Sequence, residues 1–294
     1  MTPLLDAHVH CWDPRRLAYP WLAALPALDR PLLPADYRAA TSAEVGAFVL
    51  VTAGGADPAA EVELALELAD ADADAGGEPR VAAIVADAPL DDEDDAGFLE
   101  LLAAEPLVRG VRRQLAFEPD PDRCLAPAAL RTTRRLAALD LALDLRVTPA
   151  LLGAARELAA RCPEVPIVLD HLGNPDVRGR GLDPWRGDLA RLAALPNVWC
   201  KLSGLVTDAD RGAWTAGDLA PFLRHAIACF GPARLMIGSD WPIVLQAATI
   251  GAWLAALDAV LAELGPDDQA RIRWRTGRAF YRIEPTRSRE VPDA

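Results

Sequence analysis

The sequence predicts an α/β fold in one domain, a closed (β/α)8 barrel. Three observations predict it. Eight short apolar runs recur along the chain, each ending in polar or turn residues. Each run is followed by a longer Ala/Leu-rich stretch, most of them with apolar residues returning at helical spacing. No Gly-x-Gly-x-x-Gly follows the first run, which disfavours an open dinucleotide-binding sheet. The 294 residues could hold two average domains, but a barrel of this kind fills about 250 by itself.

The runs are Pro3–His8, Ala47–Thr52, Val81–Val85, Val108–Arg113, Leu141–Val147, Pro166–Asp170, Val198–Ser203 and Leu235–Gly238. Their near-continuous hydrophobicity is what strands buried on both faces require. Between them, candidate helices cover Ala59–Ala75, Asp95–Ala104, Ala128–Leu139, Pro149–Arg161, Pro184–Ala194, Ala216–Phe230 and Ile250–Leu264. Thr148 before Pro149, and Asp183 before Pro184, place a capping side chain ahead of a proline at the first helical position. Two segments break the rhythm. Residues Cys11–Ala40 are too long for an ordinary connection and are expected to fold over the barrel mouth. The acidic run Asp91–Asp95 reads as a solvated loop entering a helix N-terminus, not as a metal site. The barrel is expected to span residues 1–285, with the tail Thr286–Ala294 frayed.

Composition narrows the function. With 43 acidic against 30 basic residues, the formal net charge is −13, a field that repels phosphate backbones, so no nucleic-acid partner is expected. The five cysteines are dispersed, odd in number and without a Cys-x-x-Cys pair, which argues against a disulfide framework or a thiolate zinc site. The N-terminus lacks the basic stretch and apolar run of a signal peptide, and no uncharged segment approaches the roughly 18–20 residues of a membrane span. A soluble cytoplasmic protein without membrane contact is expected; a homo-oligomer is compatible with the sequence.

The chemistry gathers at strand ends. In Asp6-Ala-His8-Val-His10 the residues two apart face one side of a strand, so all three side chains can point into the barrel. Two imidazoles emerging together suit one metal ion, with Asp6 as a supporting partner. A surface histidine pair is the ordinary alternative. His171 directly follows the sixth run and precedes a Gly/Pro turn, where a turn-capping histidine would also sit. Asp240 follows the eighth run, a place where aspartate is often only a turn residue. The first, sixth and eighth strands of a closed barrel open onto one mouth, and that convergence favours a common site.

In this combination the chain resembles the amidohydrolase superfamily, in its lactonase-like branch of amidohydrolase-related TIM-barrel hydrolases. That branch includes L-fuconolactone and L-rhamnonolactone hydrolases and pyrone-dicarboxylate lactonase. The resembling segments are Asp6–Pro14, Tyr19–Leu22, Leu28–Asp36, Gly110–Gln114, Val168–Pro175, Asn197–Leu205 and Phe230–Pro242. The resemblance implies a metal-dependent-hydrolase barrel with His8, His10, His171 and Asp240 as metal ligands, and Asp240 and His171 as catalytic residues. Where relatives carry a bridging lysine at the fourth strand end this chain has Arg112-Arg113-Gln114, and its fifth strand offers Asp144 and Arg146 in place of a histidine. One divalent ion, Zn2+, is therefore expected in place of two, and metal-free relatives in the branch leave a metal-free mechanism open.

The activity so implied is opening of a small lactone, with Asp240 taking a proton from the attacking water. A sugar-acid lactone, and hence a place in carbohydrate metabolism, is expected over a dicarboxylate lactone, because the seventh strand shows Lys201 as its one cation. Arg112 is the choice for the inward member of its triplet, and Trp12, Trp21, Trp241 and Tyr19 for pocket walls. Lys201, inside an apolar strand, reaches either the substrate or a buried carboxylate, with the two readings evenly balanced. His225, within a helix, reads as structural, and no serine nucleophile elbow is present. The alternatives are non-oxidative decarboxylation of an aromatic or unsaturated acid on the same barrel, and a silent barrel acting as a binding protein.

Overall fold

The structure, a computed structural model, describes residues 3–41, 44–75, 79–91, 96–118 and 120–284. Eight parallel strands pair in chain order: β1 (Leu4–Val9), β2 (Val45–Val51), β3 (Arg80–Asp87), β4 (Val108–Arg113), β5 (Ala142–Leu145), β6 (Ile167–Leu169), β7 (Val198–Leu202) and β8 (Leu235–Ile237). The eighth closes onto the first just beyond the ladders, where Asp240 N–H donates to His8 O (2.9 Å) and His10 N–H to Trp241 O (2.7 Å). Both rungs run through residues of the predicted site.

Alternation along the strands divides the apolar residues into two layers. Leu5, Ala7, Val49, Val51, Val85 and Val168 fill the barrel interior. Leu4, Phe48, Leu50, Ile84, Val111 and Leu143 face the helices outside. This double burial is why the runs read as continuous. The covering helices are α1 (Pro34–Ala40), α2 (Pro58–Ala75), α3 (Ala96–Ala104), α4 (Pro127–Ala138), α5 (Leu152–Arg161), α6 (Trp185–Ala193), α7 (Leu205–Asp208), α8 (Ala216–Phe230) and α9 (Ile250–Leu261). None of the described helices is long and apolar enough to cross a membrane.

Several local expectations are corrected. Pro149 opens a 3-10 turn, Thr148 makes no capping hydrogen bond, and α5 begins only at Leu152. The N-cap of α6 is Pro184 itself, while the Asp183 carboxylate accepts from Arg186 (3.0 Å). Of Cys11–Ala40, the part tied by the Trp12–Leu32 bridge contributes to the mouth, but α1 packs outside the barrel, with the Tyr37 ring 4.7 Å from that of Phe48. Asp91 binds Arg113 (2.7 Å); residues 92–95 of the acidic run, and the tail Thr286–Ala294, lie outside the described residues.

The opposite end is closed by a helical segment the sequence reading did not identify: α10 (Pro266–Ala270), a π turn (Arg271–Arg275) and α11 (Thr276–Phe280). Its arginines face outward to Asp258, Asp267 and Glu44, and its aromatic residues enter the barrel. Tyr281 is wholly buried and its hydroxyl donates to the Asp144 carboxylate, 2.8 Å from Oδ2. Replacing Tyr281 with Phe removes one hydrogen bond to a buried charged group. Urea unfolding should show a loss of about 1.5–3 kcal/mol with the fold retained.

Candidate active site

β1 delivers both of its histidines to the interior, but not by simple alternation. Asp6 pairs with Phe48 and Val9 with Leu50, so three steps of β1 face two of β2. This irregularity reverses the parity, as a β-bulge does. His8 and His10 therefore point into the site, while Asp6 points away from it. The expected support of the imidazoles by Asp6 is corrected: its carboxylate accepts from the backbone N–H of His8 (3.2 Å) and Ser239 (2.8 Å) and from the Tyr37 hydroxyl (2.7 Å). Asp6 fixes the seam between the first and last strands.

His171, past Asp170 at the end of β6, and Asp240, past Gly238 and Ser239 at the end of β8, are in left-handed backbone conformations (φ 52° and 59°). Such turns lift the side chains over the barrel axis. Two glycines make room. A Cβ on Gly204 would lie 2.8 Å from the His171 ring, and one on Gly238 would lie 2.7 Å from His8 Cβ.

The four predicted residues converge. His8 Nε2 lies 3.2 Å from His10 Nε2, and Asp240 Oδ1 lies 3.8, 3.5 and 3.9 Å from Nε2 of His8, His10 and His171. His10 Nδ1 donates to Val51 O (2.7 Å), which leaves Nε2 with its lone pair. His171 Nδ1 is engaged by Ser203 Oγ (2.8 Å). His8 Nδ1 faces Asp170 Oδ1 at 3.3 Å. Burial holds His8 well below the ordinary imidazole range, helped by the Lys201 charge, and burial holds His171 down to about 4. Burial works against the charge of Asp240, but the surrounding imidazoles of His171, His10 and His8 hold its carboxyl below the ordinary carboxylate range.

Beneath His8 lies a dry ionic layer. Lys201, fully buried, binds Asp144, sits 3.1 Å from Asp170 Oδ1 and 3.0 Å from His8 Nδ1. Arg112 Nε donates to Asp170 Oδ2 (3.0 Å). Asp170 is held well below the usual range despite burial, by Lys201, His8 and Arg112; Asp144 is pushed up, by burial and the neighbouring Asp170 charge.

Above the four residues opens a cavity of about 490 Å3, lined among others by His10, Arg112, His171 and Asp240. Arg112 is the inward member of its triplet, as expected; Arg113 turns outward to Glu118 and Asp91, and Gln114 reaches the cavity edge and Asp87 (2.7 Å). Four expectations are corrected. Lys201 takes the buried-carboxylate alternative and does not line the cavity. Trp12, Tyr19 and Trp241 are also buried behind its wall. Trp21 is the lining aromatic, with Trp12 edge-on behind it at 5.1 Å. Arg146, Asp208, Arg211 and Phe117 line the cavity without having been singled out as contacts. For Arg146 a signal existed, since it stands two residues after the inward Asp144. His225 lies on α8 and contacts Arg186 O (2.9 Å).

The profile of the amidohydrolase family matches residues 5–283. The chain belongs to the amidohydrolase family. It is similar to the L-fucono-1,5-lactonase of Burkholderia multivorans, 38% identical over 264 residues, covering 83% of this chain and 84% of the relative. The L-fucono-1,5-lactonase of Burkholderia ambifaria is 37% identical over 211 residues, 69% of this chain and 71% of the relative. Among solved structures, an amidohydrolase from Burkholderia multivorans with bound zinc superposes with a TM-score of 0.84 at 32% identity, covering 96% of this chain and all (100%) of that one.

The amidohydrolase donor set here fits one cation. Ligands held at about 2.0–2.1 Å in a tetrahedron stand roughly 3.3–3.4 Å apart; His8 and His10 are 3.2 Å apart and Asp240 Oδ1 lies 3.5–3.9 Å from the three imidazoles, with His8, His10 and Asp240 gathered as one group. Near neutral pH, His8 and His171 are neutral donors facing one carboxylate. A second group, His8, Asp170 and His171, also gathers ligand atoms, but Lys201 and Arg112 already neutralise its carboxylate.

Two outcomes follow. Lys201→Met strands two buried carboxylates and should cost roughly 3–5 kcal/mol in urea unfolding, partly recovered by adding Asp144→Asn. Between about pH 4 and 6.5 the unfolded chain binds a proton that folded His171 refuses, so His171 weakens the folded state as pH falls through that window. Asp144, raised on folding, acts in the opposite sense over a similar range. Chelator-treated His171→Gln should therefore lose less stability than chelator-treated wild type between about pH 7 and about pH 5, measured by urea midpoints.

Proposed function

We propose that this enzyme opens the ring of a small sugar-acid lactone by water attack on the ring carbonyl. The observation that carries the reading is the convergence of His10, His171 and Asp240 on the wall of a cavity of about 490 Å3, with the His8 imidazole against them. The similarity to two proteins named L-fucono-1,5-lactonase supports a lactone as the bond attacked. The basis expected from Lys201 no longer supports the choice of sugar over dicarboxylate, because Arg112, Arg146 and Arg211 all reach the cavity. The choice rests on these relatives.

Asp240, ionised at neutral pH, accepts the proton of the attacking water and returns it to the leaving alkoxide. Ring opening then yields the hydroxy acid, with atoms and protons balanced. Water is a far weaker acid than a protonated carboxyl group, so its acidification by a cation would assist this proton transfer. His8, His10, His171 and Asp240 would hold a divalent cation, Zn2+ by this reading, whose Lewis acidity would serve to acidify the water and polarise the carbonyl. Arg112, at the cavity floor and held by Asp170, presents positive charge to the oxygen on which negative charge develops. Ser203, the Val51 carbonyl and Asp170 fix the three imidazoles, so little reorganisation is needed when charge moves.

A pH-indicator screen of aldonolactones tests the reading: wild type should release acid from L-fucono-1,5-lactone or a near stereoisomer. Asp240→Asn should lower kcat by about 10²–10⁴-fold. Chelation should abolish turnover and added Zn2+ should restore it; full activity in metal-stripped enzyme would instead assign the polarising role to Arg112 and His171. Carbon dioxide release from an aromatic acid, with no lactone opened, would reverse the choice of reaction.

A further inference from the structure

Within reach of the catalytic residues, two oppositely charged side chains share the cavity without joining. Arg146, just beyond β5, forms no ion pair and no side-chain hydrogen bond among the described residues, and its buried Nε has no partner. The Phe117 ring covers one face of its guanidinium at 4.4 Å, leaving the edge toward the cavity. Asp208, at the end of α7, accepts from Asn174 Nδ2 (3.0 Å) through Oδ2, and among the described residues no side chain hydrogen-bonds its Oδ1. The two feel each other electrostatically, yet no oxygen of Asp208 comes within salt-bridge distance of Arg146. Beside them Gln246 Oε1 and Trp21 Nε1, also on the cavity wall, lack partners, one an acceptor and the other a donor.

We propose that Arg146 and Asp208 form a clamp that reads neighbouring ring hydroxyls of the substrate, the guanidinium donating to one oxygen and the carboxylate accepting from another. The argument is one of complementarity. A substrate carboxylate would meet Arg146 favourably but be repelled by Asp208, and a cation would meet the reverse. A hydroxyl both donates and accepts, so a pair of them satisfies both side chains and restores the missing hydrogen bonds. A buried group that expects a partner rejects a ligand lacking one, which makes the clamp a source of specificity. The inference rests on the lactonase reading and adds to it a polyhydroxylated ring, placed with its hydroxyl edge toward Arg146 and Asp208.

The test compares kcat/KM for L-fucono-1,5-lactone and for δ-valerolactone, a ring of the same size without hydroxyls, in wild type, Arg146→Met and Asp208→Ala. Each substitution should reduce the ratio of the two by about 10–100-fold, the scale of one charge-assisted hydrogen bond, with the bare ring little affected. Circular dichroism spectra and urea midpoints matching wild type report that the variants are folded. An unchanged ratio, or equal losses on both lactones, overturns the clamp and leaves the lactonase standing. A wild-type enzyme that opens neither ring removes the lactonase reading and the clamp with it.

Discussion

Lys201 places an ammonium where no water reaches, and the site is organised around that charge. An ion taken into such a place loses several kcal/mol of hydration, which attraction to partners must replace. Asp144 and Asp170 provide the counter-charges, Tyr281 and Arg112 satisfy the remaining oxygens, and His8 rests on the resulting layer. The layer fixes the height and orientation of His8 within the barrel. The Lys201 charge also neutralises Asp170, the carboxylate that would otherwise face His8 and His171 unpaired.

The cost of aiming the remaining groups is carried by the backbone. His171, Leu172 and Asp240 lie in the left-handed region, each at an expense of about 1–3 kcal/mol for a residue with a Cβ. These conformations persist because neighbours leave no alternative. Ser203 holds the His171 ring, Gly204 yields the space beside it, and the Asp240 N–H is committed to the His8 carbonyl. Strain and barrel closure coincide at Asp240, so its carboxylate is placed by the same rung that joins the last strand to the first.

How far all this could be read in advance depended on the range of the interaction. Strands buried on both faces announce themselves as apolar runs, and β4 was bounded correctly from composition alone. His8 and His10 followed from two-residue alternation. Asp6 did not, because the irregularity in β1 is set by pairing with β2, and nothing local marks it. The closing segment was hidden by Arg271, Arg273 and Arg275, whose charges mask the inward Trp274, Phe280 and Tyr281. Lys201 stayed ambiguous because its partner Asp144 is 57 residues away. Trp12, Tyr19 and Trp241 show that nearness in sequence to a catalytic motif does not place an aromatic ring in the cavity, since the adjacent residue on a strand or turn faces elsewhere.

The contact between Tyr281 and Asp144 has a consequence for the order in which the molecule can be made. It ties the closing helix to the ionic layer that carries His8, so the centre draws together residues from both ends of the described chain. During synthesis, β1 and its histidines emerge ahead of the other strands and must wait for the closing helix before their charges are balanced. Half-barrels appearing earlier would expose unpaired strand edges and an uncompensated lysine, the features that invite misassembly in folding intermediates. A growing chain of this kind is expected to depend on being shielded until its last helix is free of the ribosome, and the capacity to bind a cation at His8 and His10 should arise late and all at once.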